Sequence, residues 1–257
     1  MQDTLHRPIT VSIVSHGQQE LLLPLLEQLG RHCATSIAKV ILTINIPEAD
    51  LLAQANLGFA IERIVNIRPQ GFGANHNAAF AHCESDWFLV LNPDIRLDND
   101  VLQTLLARAR VDSGVLTPRI VEPGRNAPEP HRGLLTPREI LLRNRRGYCA
   151  PPNPAWIPGM FMLLRAAAYR QIDGFDTRFF MYGEDFDLCA RLQLAGWHIQ
   201  VAEELQVQHA ARRASRRDMH HLCWHCESLI KVWTSATFWR YRSLWHMRGE
   251  ATPSPSE

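Results

Sequence analysis

The sequence predicts an α/β fold, with a mainly parallel central sheet flanked by helices and a helical C-terminal tail. Three observations carry this expectation. Short β-branched runs alternate with segments of helical apolar spacing over the first ~110 residues. Glycine and asparagine clusters fall where those runs should end. After about Arg217 the chain turns rich in Trp and Arg and reads as helical throughout. Its 257 residues suffice for one large domain or two small ones.

The elements follow in order. Ile9-Thr10-Val11-Ser12-Ile13-Val14-Ser15 reads as a buried strand that ends at His16-Gly17, and Leu21, Leu22, Leu25, Leu26 and Leu29 then recur at helical spacing. Strands are expected over 39–45 and 61–67, with a helix near 50–56 between them. Gly71-Phe72-Gly73-Ala74-Asn75-His76-Asn77 opens a helix to about Cys83. The apolar run 87–91 is a buried strand that delivers Asn92 and Asp94 at its end, and a helix over 99–110 follows. In such sheets ligands bind beyond the carboxyl ends of the strands, where His16, Asn45, Gly71 and Asp94 all fall. The Pro- and Arg-rich stretch 118–154 predicts loops around one short helix at 137–144. A strand region at 156–165, an acidic helix from Glu184 and a strand at 197–202 complete the body. Residues 251–257 should be disordered.

Composition narrows the function classes. The chain is 46% hydrophobic and 21% charged, with a net charge of +1, so no global charge argues for nucleic acid. Between Ala210 and Arg248, however, eight basic residues face only Asp218 and Glu227, which marks a candidate contact with anionic lipid or diphosphate headgroups. Six scattered cysteines and a start without a signal peptide predict reduced thiols in a cytoplasmic protein. His220, Cys223 and Cys226 share one spacing, but no second pair follows to complete a zinc site. No apolar run approaches the ~20 residues that span a bilayer.

Two acidic elements carry the chemistry. In Met181-Tyr182-Gly183-Glu184-Asp185-Phe186-Asp187, three carboxylates crowd a helix start, where the dipole should keep them ionised and available as bases. Taken alone, the stretch reads equally as acidic residues that open a helix. Asn92-Pro93-Asp94 places a carboxamide and a carboxylate two residues apart beyond a strand, with the backbone restricted by Pro93. Such a pair suits a hard divalent cation, Mg²⁺ or Mn²⁺, although a plain turn would look the same. Gly71-Phe72-Gly73 lacks the third glycine of a dinucleotide fingerprint and follows the third strand rather than the first, so a nicotinamide enzyme is rejected. These glycines should instead let backbone approach a ligand.

Six motifs in order resemble the inverting family 2 glycosyltransferases of the Rossmann-like GT-A fold, and among them bacterial rhamnosyltransferases that use dTDP-L-rhamnose. They are the segments 11–17, 71–77, 91–95 and 156–162, then Gly174-Phe175-Asp176 and 180–188, so that the resemblance spans about Thr10 to Ser228. It implies a single domain over 1–250: a nucleotide-sugar-binding half (9–117), an acceptor-binding and catalytic half (118–217), and a tail (218–250) in peripheral contact with the inner face of the cytoplasmic membrane. It makes Asp185 the general base, with Glu184 beside it, and Asp94 and His209 the metal ligands. Ser15, His16, Gly17 and Asn45 would line the nucleotide, with Gly71, Phe72, Gly73, Asn77 and Asn92 toward the donor. Trp156, Gly159 and Asp176 would shape the acceptor side. The implied reaction moves L-rhamnose to a polyprenyl-diphosphate-linked saccharide of O-antigen or another envelope polysaccharide. A UDP-sugar donor is the alternative within the class, and a non-catalytic nucleotide-sugar-binding protein the alternative outside it. Asn45-Ile46 stands where relatives carry Asp-Asn, and Glu227 where they carry a basic residue.

Overall fold

Strand β1 (Ile9–Ser15) is buried along nearly its whole length, as expected of a run with apolar or small residues on both faces. In this computed structural model, which describes residues 7–49, 57–210 apart from 123, 126 and 144, and 219–250, β1 is flanked by parallel neighbours on both sides. These are β2 (Ile37–Ile44) and β4 (Trp87–Leu91), and β2 in turn pairs in parallel with β3 (Ala60–Val65). Beyond β4, strand β7 (Phe161–Arg165) runs antiparallel between β4 and β6 (Ser113–Val121). Strand β8 (His198–His209) lies parallel to β6, and the two-residue β5 (Ile95–Arg96) pairs antiparallel with the end of β8. The eight strands are ordered β3-β2-β1-β4-β7-β6-β8-β5.

Alternation along the central strands separates two apolar layers. Trp87, Leu89 and Leu91 join Ile9, Val11 and Ile13 beneath α1 (Gln19–His32) and α3 (Val101–Arg108). Phe88 and Val90 face the other way, toward α5 (Ala166–Gln171) and α6 (Glu184–Leu194). The Asp100 carboxylate caps α3 by accepting from the Gln103 N–H at 3.0 Å. Helix α2 (Phe72–Phe80) belongs to the second layer, with Phe80 against Phe88 and Tyr169, and α4 (Pro137–Leu142) starts at a Thr136 cap.

Several expectations need revision. Strand β6 crosses Pro118, where the sequence reads as the start of loops; the register with β8 shifts between Pro118 and Arg119, so the imide sits at an irregularity and interrupts no ladder bond. Trp156 lies outside β7 and makes only an isolated bridge with Arg132. The helix expected over 50–56 and the disordered end 251–257 lie outside the described residues.

The tail forms α7 (Met219–Thr234) and α8 (Ala236–Glu250), and one face of it is core. Val232, Phe238 and Tyr241 are buried in the second apolar layer. The Tyr241 hydroxyl donates to the Ala155 carbonyl at 2.6 Å, and the Trp233 indole N–H donates to the Leu135 carbonyl at 2.9 Å. Among the described residues no helix is long and apolar enough to cross a membrane, and the six cysteines are unpaired.

Candidate active site

The pairing of β5 with β8 puts Ile95 opposite His209, so Asp94, one residue earlier, lies beside the imidazole. Asp94 Oδ2 is 3.2 Å from His209 Nε2, and the Asp94 carbonyl accepts from the Ala210 N–H at 2.9 Å. Arg96 fixes the turn by donating to the Pro93 and Ile95 carbonyls. His209 Nδ1 lies 3.8 Å from the Glu122 carboxylate. Burial pulls the His209 imidazole down, but the hydrogen bond and charge of Asp94, with Glu122 behind, outweigh it and leave it raised. Asp94 Oδ1 and His209 Nδ1 are buried without a hydrogen-bond partner among the described residues. An orphaned carboxylate oxygen beside an imidazole fits a divalent cation. Among the described residues no three His, Cys, Asp or Glu side chains are grouped to hold a metal alone, so such a cation would take further ligands from water and a bound diphosphate.

The second acidic element is built differently. Tyr182 (φ 71°) and Gly183 (φ 80°) both adopt the left-handed conformation just before α6. That conformation disfavours a tyrosine by ~1–2 kcal/mol, and a stack on His225 of α7, with ring centroids 3.5 Å apart, helps hold it. Ser228 Oγ donates to the Met181 carbonyl and Lys231 Nζ to the Arg178 carbonyl, so α7 braces the loop that leads to Asp185. The Asp185 carboxylate accepts from the Phe186 N–H at 2.8 Å and the Gly159 N–H at 3.3 Å.

Burial decides which carboxylate of the pair is charged. Glu184 is 6% exposed and its Oε2 has no partner among the described residues. Desolvation, with the Asp185 charge adding to it, pushes Glu184 up to about 8. Asp185 is also raised by burial, but Arg132 and the N–H groups of Phe186 and Gly159 oppose the shift. With two like charges side by side, the negative charge rests on the partner that has a cation and two N–H groups to stabilise it, Asp185. The helix dipole therefore does not keep all three carboxylates ionised, as the sequence suggests: Glu184 is protonated at neutral pH. Asp187 serves the fold through a 2.7 Å ion pair with Arg191. Because Glu184 rises from 4.5 to about 8 on folding, its contribution favours the folded state at low pH and is lost as pH rises through that window. Glu184→Gln should accordingly gain melting temperature over the wild type at pH 8 relative to pH 5, as read by thermal denaturation at both pH values.

A cleft of about 770 Å³ has Glu122, Arg132 and Arg143 in its lining, and these three residues link it to both elements. Glu122, on its wall, touches His209, while Arg132 and Arg143 act electrostatically on Asp185. Arg125, Arg145 and Arg146 extend the basic lining. Arg132 pairs with Glu129 at 2.9 Å and lies over the Trp156 ring, 4.6 Å from its centroid. Reading 118–154 as loops misses this wall. Its signal was the density of arginine at 138, 143, 145 and 146.

Other candidate residues turn out to build the frame. Asn45 is buried: its Nδ2 donates to His16 Nδ1 and the Gln70 carbonyl, while its Oδ1 accepts from Asn66 Nδ2 and the Gln70 N–H. Both acceptor positions of the oxygen are thus taken within the protein. Ser15 Oγ accepts from the Gln18 N–H, His16 is exposed at the strand end, and Gly17 (φ 71°) makes the turn. A Cβ at Gly71 would stand 2.6 Å from the Phe180 carbonyl oxygen, and one at Gly73 2.6 Å from Phe175 Cβ, so these glycines admit protein rather than ligand. Phe72 packs edge-on against Phe175. Asn92 donates its backbone N–H to the Met160 carbonyl. Trp156 is 5% exposed, with its indole N–H on the Gly133 carbonyl, and so supports Arg132 and presents no face to an acceptor. Gly159 touches Asp185 itself, and Asp176 is held by Arg178 at 2.6 Å.

Asn77 shows the pattern most clearly. Its Nδ2 donates to the Phe175 carbonyl, and its Oδ1 accepts from the Tyr169 hydroxyl and the Phe175 N–H. Asn77→Ala should destabilise by ~2–3 kcal/mol, because it strands buried donors, while leaving nucleotide affinity unchanged. Denaturant unfolding and nucleotide titration check both halves.

Comparison with known proteins bears on the family and the fold. Residues 87–248 match the family described as glycosyl transferase family group 2. The chain is 27% identical to the N-acetylglucosaminyl-diphospho-decaprenol L-rhamnosyltransferase of Mycobacterium tuberculosis strain H37Rv, over 86% of each chain. It is 26% identical to rhamnosyltransferase WbbL of Escherichia coli K12, over 93% of this chain and 99% of that one. A Pyrobaculum calidifontis mannosyltransferase solved with GDP-Man and Mn²⁺ shares the fold at TM-score 0.60 and 13% identity, over 96% and 76% of the two chains. TarS 1–349 of S. aureus, solved with UDP-GlcNAc, does so at TM-score 0.63 and 15% identity, over 89% and 67%.

Proposed function

The chain belongs to glycosyl transferase family group 2 and carries the GT-A fold, and from that premise we propose an inverting rhamnosyl transfer from dTDP-L-rhamnose to a saccharide on a polyprenyl diphosphate, in cell-envelope polysaccharide assembly such as that of O-antigen. The observation that carries the reading is a cleft that holds Glu122, which faces His209 of the Asp94–His209 pair, together with Arg132 and Arg143, which act electrostatically on Asp185. Asp185, ionised beside a protonated Glu184, takes the proton of the acceptor hydroxyl as that oxygen attacks the anomeric carbon. The Gly159 and Phe186 N–H groups orient its carboxylate. Asp94 and His209 would hold a divalent metal, which when bound neutralises charge on the departing diphosphate. The Asn45–Asn66–Gln70–Asn75 hydrogen-bond network stiffens the strand ends on the nucleotide side.

The relatives support the sugar and the acceptor class of this reading: both are named rhamnosyltransferases, and the name of one gives L-rhamnose and an N-acetylglucosaminyl-diphospho-decaprenol. Such an acceptor implies peripheral contact with the cytoplasmic membrane face. The outward face of α8, with Trp239, Arg240, Arg242 and Met247 exposed, suits that contact. The donor is tested by thermal shift with nucleotide sugars in the presence of Mn²⁺ or Mg²⁺. Because a ligand that binds only the native state stabilises it, dTDP-L-rhamnose should raise the melting temperature above every UDP-sugar. A larger shift with a UDP-sugar would reassign the donor.

A further inference from the structure

We propose that the arginines of the cleft and an apolar groove beside it form the binding site for the acceptor's prenyl diphosphate, with the diphosphate on Arg143, Arg145 and Arg146 and the isoprenoid along Leu142, Tyr148 and Trp245. The inference deepens the proposed function and rests on it for the identity of the acceptor.

The charge balance is the first argument. Two of the three glutamates in the cleft are already engaged: Glu129 pairs with Arg132, and Glu139 accepts from the Tyr148 hydroxyl at 2.6 Å and the Gly133 N–H at 2.9 Å. The third, Glu122, faces His209. Among the described residues, Arg143, Arg145 and Arg146 have no carboxylate within 4.0 Å. Arg143 is half-buried next to Arg132, and burial together with that like charge disfavours its guanidinium. With five arginines against three glutamates the cleft keeps an excess of positive charge, and Arg143, Arg145 and Arg146 form a site for a multiply charged anion, which they would bind through charge-assisted, bidentate hydrogen bonds.

The surroundings of these arginines select the kind of anion. Arg145, Arg146 and Glu139 also line a second groove of about 820 Å³, whose other wall carries Leu142, Tyr148 and Trp245. The two guanidinium groups thus stand where the polar cleft, whose Arg132 and Arg143 act on Asp185, meets a more apolar one. An acceptor lying along this path would place its sugar hydroxyl at Asp185, its diphosphate on the arginines and its hydrocarbon beside α8. The donor's diphosphate has its own position at Asp94 and His209, behind Glu122. A free anion or a soluble oligosaccharide would make no use of the groove.

Farnesyl diphosphate, inorganic pyrophosphate and farnesol serve as probes for the full chain, with binding read by calorimetry. Farnesyl diphosphate should bind at least ~tenfold more tightly than either fragment, because only it fills both halves. Arg145→Ala/Arg146→Ala should weaken it at least ~tenfold and leave metal-dependent binding of thymidine diphosphate unchanged. Both side chains are exposed, so the fold should survive, and the charge-reversed Arg145→Glu/Arg146→Glu pair should abolish binding of the probe. Failure of the wild type to prefer farnesyl diphosphate, or no effect of either variant, overturns the proposal. Loss of thymidine diphosphate binding in the same variants also overturns it and gives the arginines to the donor. None of these readouts needs sugar transfer. A chain that binds the probe but transfers no sugar would therefore refute the proposed function alone, and rhamnosyl transfer without probe binding would refute the site alone.

Discussion

Asp185→Asn should reduce transfer by ~10²–10⁴ and leave nucleotide affinity unchanged, since the amide cannot take a proton and the donor side of the cleft is untouched. The asparagine oxygen can keep the Phe186 N–H, and only the weaker contact with the Gly159 N–H is lost, so the fold should hold. Steady-state rates with saturating donor, alongside a nucleotide titration, separate chemistry from binding. Turnover within tenfold of wild type would move the base elsewhere. Glu184 would be a poor heir, because burial, the larger cause of its raised pKa, persists in the variant.

The second large effect belongs to Asp94→Ala. It removes the one carboxylate beside His209 whose Oδ1 is buried without a partner among the described residues. Binding of thymidine diphosphate should weaken at least ~tenfold in the presence of Mn²⁺ and lose its dependence on the metal, as read by calorimetry. Unchanged affinity and metal dependence would reduce Asn92-Pro93-Asp94 to a structural turn.

How much of this was legible in the sequence depends on the range of the interaction concerned. Strands β1 and β4 were readable because both of their faces are buried, which leaves an unbroken apolar run. Helix α6 was readable because its acidic first turn is a local signal. Strand β6 was not, since Pro118 argues against a strand and only the bulge opposite β8 accommodates it. The carboxylates could be located from sequence but not titrated: nothing local shows that Glu184 is enclosed while Asp185 keeps Arg132 nearby. Asn45 and Asn77 look like ligand contacts because asparagine at a strand end or helix start can face either way. Their partners, Asn66, Gln70, Tyr169 and Phe175, are visible only once the chain has folded. The tail divides in the same manner. Its basic residues suggest an anionic surface, while packing of Val232, Phe238 and Tyr241 on the body and the brace of His225 on the loop before Asp185 are visible only in the fold.

The central claim is a single displacement at the anomeric carbon, with Asp185 as base and no covalent sugar–enzyme intermediate. The anomeric configuration of the rhamnosyl product, measured by NMR from its one-bond carbon–proton coupling and compared with that of the donor, tests this most directly. The account predicts the opposite configuration in product and donor; retention of the donor's configuration would contradict it.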